Sequence, residues 1–203
     1  MHSLPLWFSA LLFGGEAIAA TVSWVGGSGD WNLPANWNTG ALPEPDDDVL
    51  IEQPDDITVT LSSGTHSVKS LQSQETFFLS GGSLAVSSTI QVNNNFDLSG
   101  GTLTGATVLP GTNGQGITVL NGTLDGVTVN GDLDVGNANN GARLTVLNGL
   151  ELNGTLYVGN PTNGWYGRVD FSGSQTLGGA TGRLFSATRA LATRCCWPVS
   201  TRP

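Results

Sequence analysis

Short segments of this chain recur at offsets that drift around twenty residues, and few folds accept such drift. Leu79-Ser-Gly-Gly-Ser-Leu84 returns as Leu98-Ser-Gly-Gly-Thr-Leu103, 19 positions on. Gly101-Thr-Leu-Thr-Gly-Ala-Thr-Val108 returns as Gly122-Thr-Leu-Asp-Gly-Val-Thr-Val129 after 21, and Asn130-Gly-Asp-Leu-Asp-Val-Gly-Asn137 returns as Asn153-Gly-Thr-Leu-Tyr-Val-Gly-Asn160 after 23. Leu120-Asn-Gly122 and Leu147-Asn-Gly149 lie 27 apart. One structural unit with loops of variable length produces this pattern. A propeller blade needs ~40 or more residues, whereas a coil of a parallel β-helix takes ~20 to 30.

Composition agrees with strands. Of 203 residues 29 are Gly and only 11% are charged, which excludes helical bundles, coiled coils and charged disordered tails. Period-two runs of β-branched and aliphatic residues predict strands at Ile57–Leu61, Ser67–Leu71, Thr89–Val92, Ile117–Leu120, Asp132–Val135, Arg143–Leu147, Thr155–Val158 and Arg168–Phe171. No stretch of the body carries the helical period. The expectation is an all-β, right-handed parallel β-helix of about five or six coils, ~25 to 30 Å long at ~4.8 Å per coil. Asn-Gly pairs at Asn113, Asn121, Asn130, Asn140, Asn148, Asn153 and Asn163 suit its corners, where positive φ is needed. The competing reading of those pairs is a sandwich with hairpin turns.

Four segments follow along the chain. Residues 1–20 combine an apolar run from Leu4 to Phe13 with the small-residue site Ala17-Ile18-Ala19, which reads as a secretory signal peptide. That run is too short to span a bilayer. Residues 21–56 form a cap carrying Trp24, Trp31 and Trp37, residues 57–182 the solenoid repeats, and residues 183–203 an atypical basic tail. The tail holds four of the six Arg and the adjacent pair Cys195-Cys196, with no acid, and is expected to be disordered or the product of a shifted reading frame. Adjacent cysteines do not readily make a relaxed disulfide, so the body is expected to stand on packing and hydrogen bonds.

Net charge is −9, and nucleic acids and anionic membranes are accordingly disfavoured as partners. The acids also bear on catalysis. A glycoside hydrolase needs two carboxylates at controlled separation. Asp132 and Asp134 lie two apart on one predicted strand and share a face, with Asp125 approaching from the preceding turn. The competing reading is a solvated strand face with Leu133 and Val135 inside. A lyase needs a calcium cluster and a basic residue, and Arg143 and Arg168 hold matching places in their coils, as an anionic-sugar ladder or as plain repeat inheritance. His66 sits in a Ser-Gly-Thr turn with no evident triad. For metal, Asp46, Asp47 and Asp48 could offer oxygens to Ca2+, although no cofactor is required. Trp24, Trp31 and Trp37 serve either as an exposed sugar-binding surface or as a hydrophobic lid.

Trp24, Gly26, Gly27, Gly29, Trp31, Trp37, Pro43, Asp47, Asp48 and Ile51, together with the LxGGTL coils and Asn163-Gly-Trp-Tyr-Gly-Arg-Val-Asp-Phe-Ser-Gly-Ser-Gln-Thr-Leu-Gly-Gly179, resemble large exported bacterial β-helix surface proteins of the autotransporter-passenger and hemagglutinin-like adhesin kind. The resemblance spans roughly residues 21–180 and rests on structural motifs. It implies a secreted or cell-surface structural or adhesion module without catalytic activity, meeting host-surface or matrix glycans or proteins. The alternatives are a carbohydrate-active β-helix enzyme and a carbohydrate-binding module. An N-terminal fragment of a longer protein is expected, whose uncapped C-terminal coil would associate end to end.

Overall fold

The structure, a computed structural model, describes residues 21–175 and 177–179 and the backbone of 183–186. The expected signal peptide, and the tail beyond Ser186 with its cysteine pair, lie outside the described residues.

The chain winds into a β-solenoid of about six turns, with three short strands per coil laid on three faces. Each strand pairs in parallel with its counterpart one coil away. Side-chain alternation then decides the interior, because registered strands bring every inward residue over an inward residue. On the first face the column is Val22, Val49, Leu71, Ile90, Val108, Val129 and Leu152. On the second it is Val59, Phe77, Phe96, Ile117, Leu133 and Leu156, with Leu61, Leu79, Leu98, Val119, Val135 and Val158 beside it. On the third, His66 stands above Leu84, Leu103, Leu124, Val146 and Phe171. Most of these aliphatic and aromatic side chains are buried, and each contributes ~1.5–3 kcal/mol by leaving water.

The drift in repeat length resides at the corners. Adjacent rungs of the first face are 18 residues apart between Ile90 and Val108 but 27 apart between Val22 and Val49, with the register intact in both. Some corners disappear into continuous strands that bend between faces, as in Phe96–Thr104, Ile117–Val129 and Ala142–Leu152. Close packing requires glycine at two of them. A Cβ on Gly101 would lie 2.6 Å from Leu79 Cγ, and one on Gly122 would lie 2.5 Å from Leu98 Cγ. The recurring Gly-Thr-Leu motif therefore makes room for a leucine of the preceding coil.

The Asn-Gly pairs serve corners, as the first of the two sequence expectations has it, and they do so through glycine: Gly114, Gly141, Gly149 and Gly164 take positive φ of 81°, 79°, 95° and 74°. Among the described residues every strand pairing is parallel, so they join no hairpins of a sandwich. Only Asn148 itself takes positive φ, at 52°. Asparagine side chains mostly tie coils together: Asn153 Nδ2 donates to Asn130 Oδ1 at 2.9 Å, Asn93 Nδ2 to Gln74 Oε1 at 2.9 Å and Asn160 Nδ2 to the Asn137 carbonyl at 3.1 Å.

Three sequence boundaries fall elsewhere in the structure. The run Ser67–Leu71 straddles a corner, with Lys69 between Thr65–Val68 and Ser70–Ser73, because alternation continues across a one-residue turn. The tryptophan-rich segment is continuous with the solenoid: Thr21–Ser23 and Asp48–Ile51 form the first two rungs of the first face. At the other end, Arg183–Ser186 pairs in register with Thr155–Val158, so pairing extends past the change in composition. The end-to-end contact expected at the last coil concerns residues outside those described.

Within the first coil Trp24, Trp31 and Trp37 are at most 2% exposed. Trp37 stands edge-on to Trp24 at 5.0 Å and to Trp31 at 4.7 Å, and Trp31 continues to Phe77 at 5.9 Å and Phe77 to Phe96 at 5.7 Å. A string of rings thus runs from the cap into the core. Trp37 Nε1 donates to the Trp31 carbonyl and Trp24 Nε1 to the Gly27 carbonyl. Trp31 Nε1 is buried without an acceptor, a cost of about 1–3 kcal/mol that the ring's buried area offsets. Gly26 leaves space for Asn36, whose Oδ1 would lie 2.6 Å from an added Cβ, which accounts for glycine between the first two tryptophans.

Candidate functional site

Outward residues form columns as regular as those inside, so chemistry at the surface must come from neighbours on a strand or on adjacent rungs. Asp132 and Asp134 flank Leu133 and share the outer side of the second face, as the period of two requires. Both carboxylates are engaged by the main chain. Asp132 Oδ1 accepts the Thr155 N–H at 2.8 Å. Asp134 Oδ1 accepts the Asn137 N–H at 2.8 Å and the Ala138 N–H at 3.1 Å, while its Oδ2 accepts Asn137 Nδ2 at 3.1 Å. The first clamps two coils and the second shapes the turn after its own strand. Asp125 does not join them: it lies on the third face, in register with Thr104 and Leu147, and accepts a hydrogen bond from Asn148 Nδ2.

The three tryptophans come together as a buried cluster, and none presents an open ring face. Asp46, Asp47 and Asp48 do not converge. Asp47 Oδ2 accepts the Glu44 N–H at 2.8 Å within its own turn, and Asp48 pairs with Lys69 at 2.8 Å and accepts from Ser70 Oγ at 2.6 Å. The Lys69 ammonium, then the Ser70 hydroxyl, hold the Asp48 carboxyl below the usual carboxylate range. Among the described residues no three His, Cys, Asp or Glu side chains are grouped to hold a metal ion.

Near the cap, Ser62, Asp30 and His66 approach one another without forming a relay. Ser62 Oγ donates directly to Asp30, and His66 Nε2 faces the Ser63 carbonyl at 3.2 Å. Burial pushes the Asp30 carboxyl up, but hydrogen bonds from Ser62 and Asn32, with His66 nearby, outweigh it and leave the group below its ordinary value. The imidazole bonds to the Ser63 carbonyl and stands between neither the serine and the acid nor any other pair, so the three do not form a Ser-His-Asp relay.

Arg143 and Arg168 do meet. They are direct partners in the register of Ala142–Leu152 with Gly167–Phe171, and both are exposed on the third face. Sequence reasoning passed over two neighbouring features. Tyr166, two residues before Arg168, is 64% exposed, and Asp170, two residues after it, accepts from Arg168 Nε at 2.6 Å. Period-two alternation through Tyr166, Arg168 and Asp170 was the available signal. Glu75, buried at a corner of the third coil, was also missed, because nothing in its local pattern distinguishes it from a surface acid.

No protein-family model, curated protein or solved structure matches the chain. The likeness to exported surface proteins is therefore supported at the level of the β-solenoid architecture.

Proposed function

We propose that this chain is an exported structural or adhesive module of the cell surface or extracellular matrix, without catalytic activity of its own. The observation that carries this reading is the use made of Asp132 and Asp134. A glycosidase acid must exchange a proton with its substrate and its partner must approach the sugar, yet here Asp134 is committed to two main-chain N–H groups and Asp132 to a third. Further support comes from the solenoid itself, whose outward rows of Thr, Ser and Asn offer a long polar surface. Export rests on the leader-like residues 1–20, and surface display on the resemblance in architecture.

The test is an assay of the purified full chain for release of reducing or unsaturated ends from neutral and acidic polysaccharides, beside the D132N/D134N double variant. The expected result is no cleavage by either protein. Cleavage by the parent that the double variant loses would establish the enzyme instead. Sequencing the N-terminus of protein recovered from the medium or cell envelope tests export, with Thr21 expected as the first residue.

A further inference from the structure

Like charges placed side by side on neighbouring strands destabilise a sheet, and this chain sets Arg143 against Arg168 on adjacent rungs, ~4.8 Å apart by strand spacing. It does so with a net charge of −9 and with Lys69 as the one further Lys or Arg side chain among the described residues. Acids are thus plentiful, yet among the described residues Asp170 alone pairs with either arginine. It binds Arg168 through Nε and leaves that residue's terminal nitrogens for another acceptor. Arg143 has no ion pair among the described residues and is exposed. Two exposed arginines side by side on adjacent rungs, one of them held by a carboxylate, offer donors suited to carboxylate or sulfate oxygens.

An aromatic ring adjoins the two arginines. Tyr166 precedes Arg168 by two residues, just ahead of the strand Gly167–Phe171, and like Arg168 it is exposed. Its main chain is fixed at both ends: Tyr166 N–H donates to Asn140 Oδ1 at 3.2 Å and Tyr166 C=O accepts from Gly141 N–H at 2.8 Å. The ring lies over the preceding coil, with the Tyr166 hydroxyl at ordinary van der Waals distance from the Cβ position of Gly141, 3.5 Å. An exposed ring on an anchored backbone loses little entropy when a flat partner stacks on it. Beside Arg143 and Arg168 run the outward hydroxyls of Thr102, Thr123 and Thr145 in register, the last opposite Asp170.

We propose that this part of the third face binds an acidic polysaccharide, with Arg143 and Arg168 taking its carboxylate or sulfate groups, Tyr166 stacking on a sugar ring and the threonines meeting its hydroxyls. The proposal rests on the adhesive role above and names the ligand class. A nucleic acid fits poorly, because two arginines cannot offset the repulsion of so acidic a chain. A peptide adding as a strand to Gly167–Phe171, which pairs with Ala142–Leu152 alone among the described strands, would be held by main-chain hydrogen bonds and would not call on the outward arginines.

The test is affinity electrophoresis of the full chain in gels containing polygalacturonate, dextran sulfate or neutral dextran. Polygalacturonate and dextran sulfate report the carboxylate and sulfate arms separately. Retardation by at least one polyanion and not by neutral dextran is expected, weakening with salt. R143Q and R168Q should each weaken it about tenfold, the loss of one charge-assisted hydrogen bond. Y166A should weaken it with the salt dependence retained, and K69Q should leave it unchanged. Urea midpoints equal to the parent's show that the variants are folded. Absence of retardation, equal retardation of the arginine variants, or equally strong binding of poly-glutamate or single-stranded DNA would overturn the site. Cleavage of the retained polymer would overturn the non-catalytic reading and leave the site standing, so the two failures are distinct.

Discussion

Glu75 Oε2 accepts the main-chain N–H of Ile57 at 3.1 Å, 18 residues earlier in the chain, while its Oε1 accepts that of Gln53 at 3.2 Å. A buried carboxylate thus replaces strand pairing for two main-chain donors where the coil turns between its first and second faces. Ser73 completes the corner, donating from Oγ to the Glu75 carbonyl at 2.9 Å and accepting the Glu75 N–H at 3.1 Å. Glu75→Gln exchanges one acceptor oxygen for a donor that would face another donor. A loss of about 1–3 kcal/mol is expected. Urea unfolding measures it, with faster amide exchange at Gln53 and Ile57 as the local signature.

In the middle of the stack, Leu103 lies between Leu84 and Leu124 and is fully buried, while its neighbour Thr102 points outward. Leu103→Ala is expected to cost about 2–5 kcal/mol. Thr102→Ala should stay within ~0.5 kcal/mol. A comparable loss from both in chemical denaturation would contradict the inward and outward assignment.

Asp97 stands between Phe78 and Thr118 on the outer side of the second face, and burial pushes its carboxyl above the usual range. The native state therefore binds a proton more readily than the unfolded chain does. At neutral pH the ionised group opposes folding. As pH falls through the raised native value the opposition is relieved, completely so below the ordinary value near ~3.9. Asp97→Asn should be more stable than the parent at pH 7, and its advantage should shrink on acidification through that window. Asp30 and Asp48, with lowered values, act in the opposite direction in both proteins and cancel in the comparison. A constant difference across pH, measured by urea midpoints, would count against this account.

Trp37 joins Trp24 to Trp31 and supplies the hydrogen bond to the Trp31 carbonyl. Trp37→Ala is expected to cost about 3–5 kcal/mol. Tryptophan emission should also shift to the red as the two remaining cap rings meet water. Unchanged emission would place the cluster's integrity elsewhere.

What was legible in the sequence was whatever repeats. Leu79, Leu98 and their Gly-Gly partners announce coils because each must match the rung beside it, and Leu133 flanked by Asp132 and Asp134 reveals its inward side by alternation alone. Corners were harder. A turn as short as Lys69 leaves the period of two unbroken, so two strands on different faces read as one. Glu75 and Asn36 were invisible because their partners, Ile57 and Gly26, are chosen by the path of the chain. The candidate site was half visible. The matching positions of Arg143 and Arg168 could be counted, but the main chain of Tyr166 is held by hydrogen bonds to Asn140 and Gly141 in the preceding coil, and no local pattern links a tyrosine to residues 25 and 26 positions away.

Because register is carried from rung to rung by the side chains that touch, while partnered residues lie from 16 residues apart, as Ile117 and Leu133 do, to 30, as Gly29 and Val59 do, the corners are places where length is free. A foreign segment spliced into the exposed bend around Thr162 and Asn163 would leave every inward column in phase. The same segment placed within Ile117–Val119 would throw the downstream winding out of step. The molecule is in this sense a ruler whose graduations stay evenly spaced while its labels are rewritten.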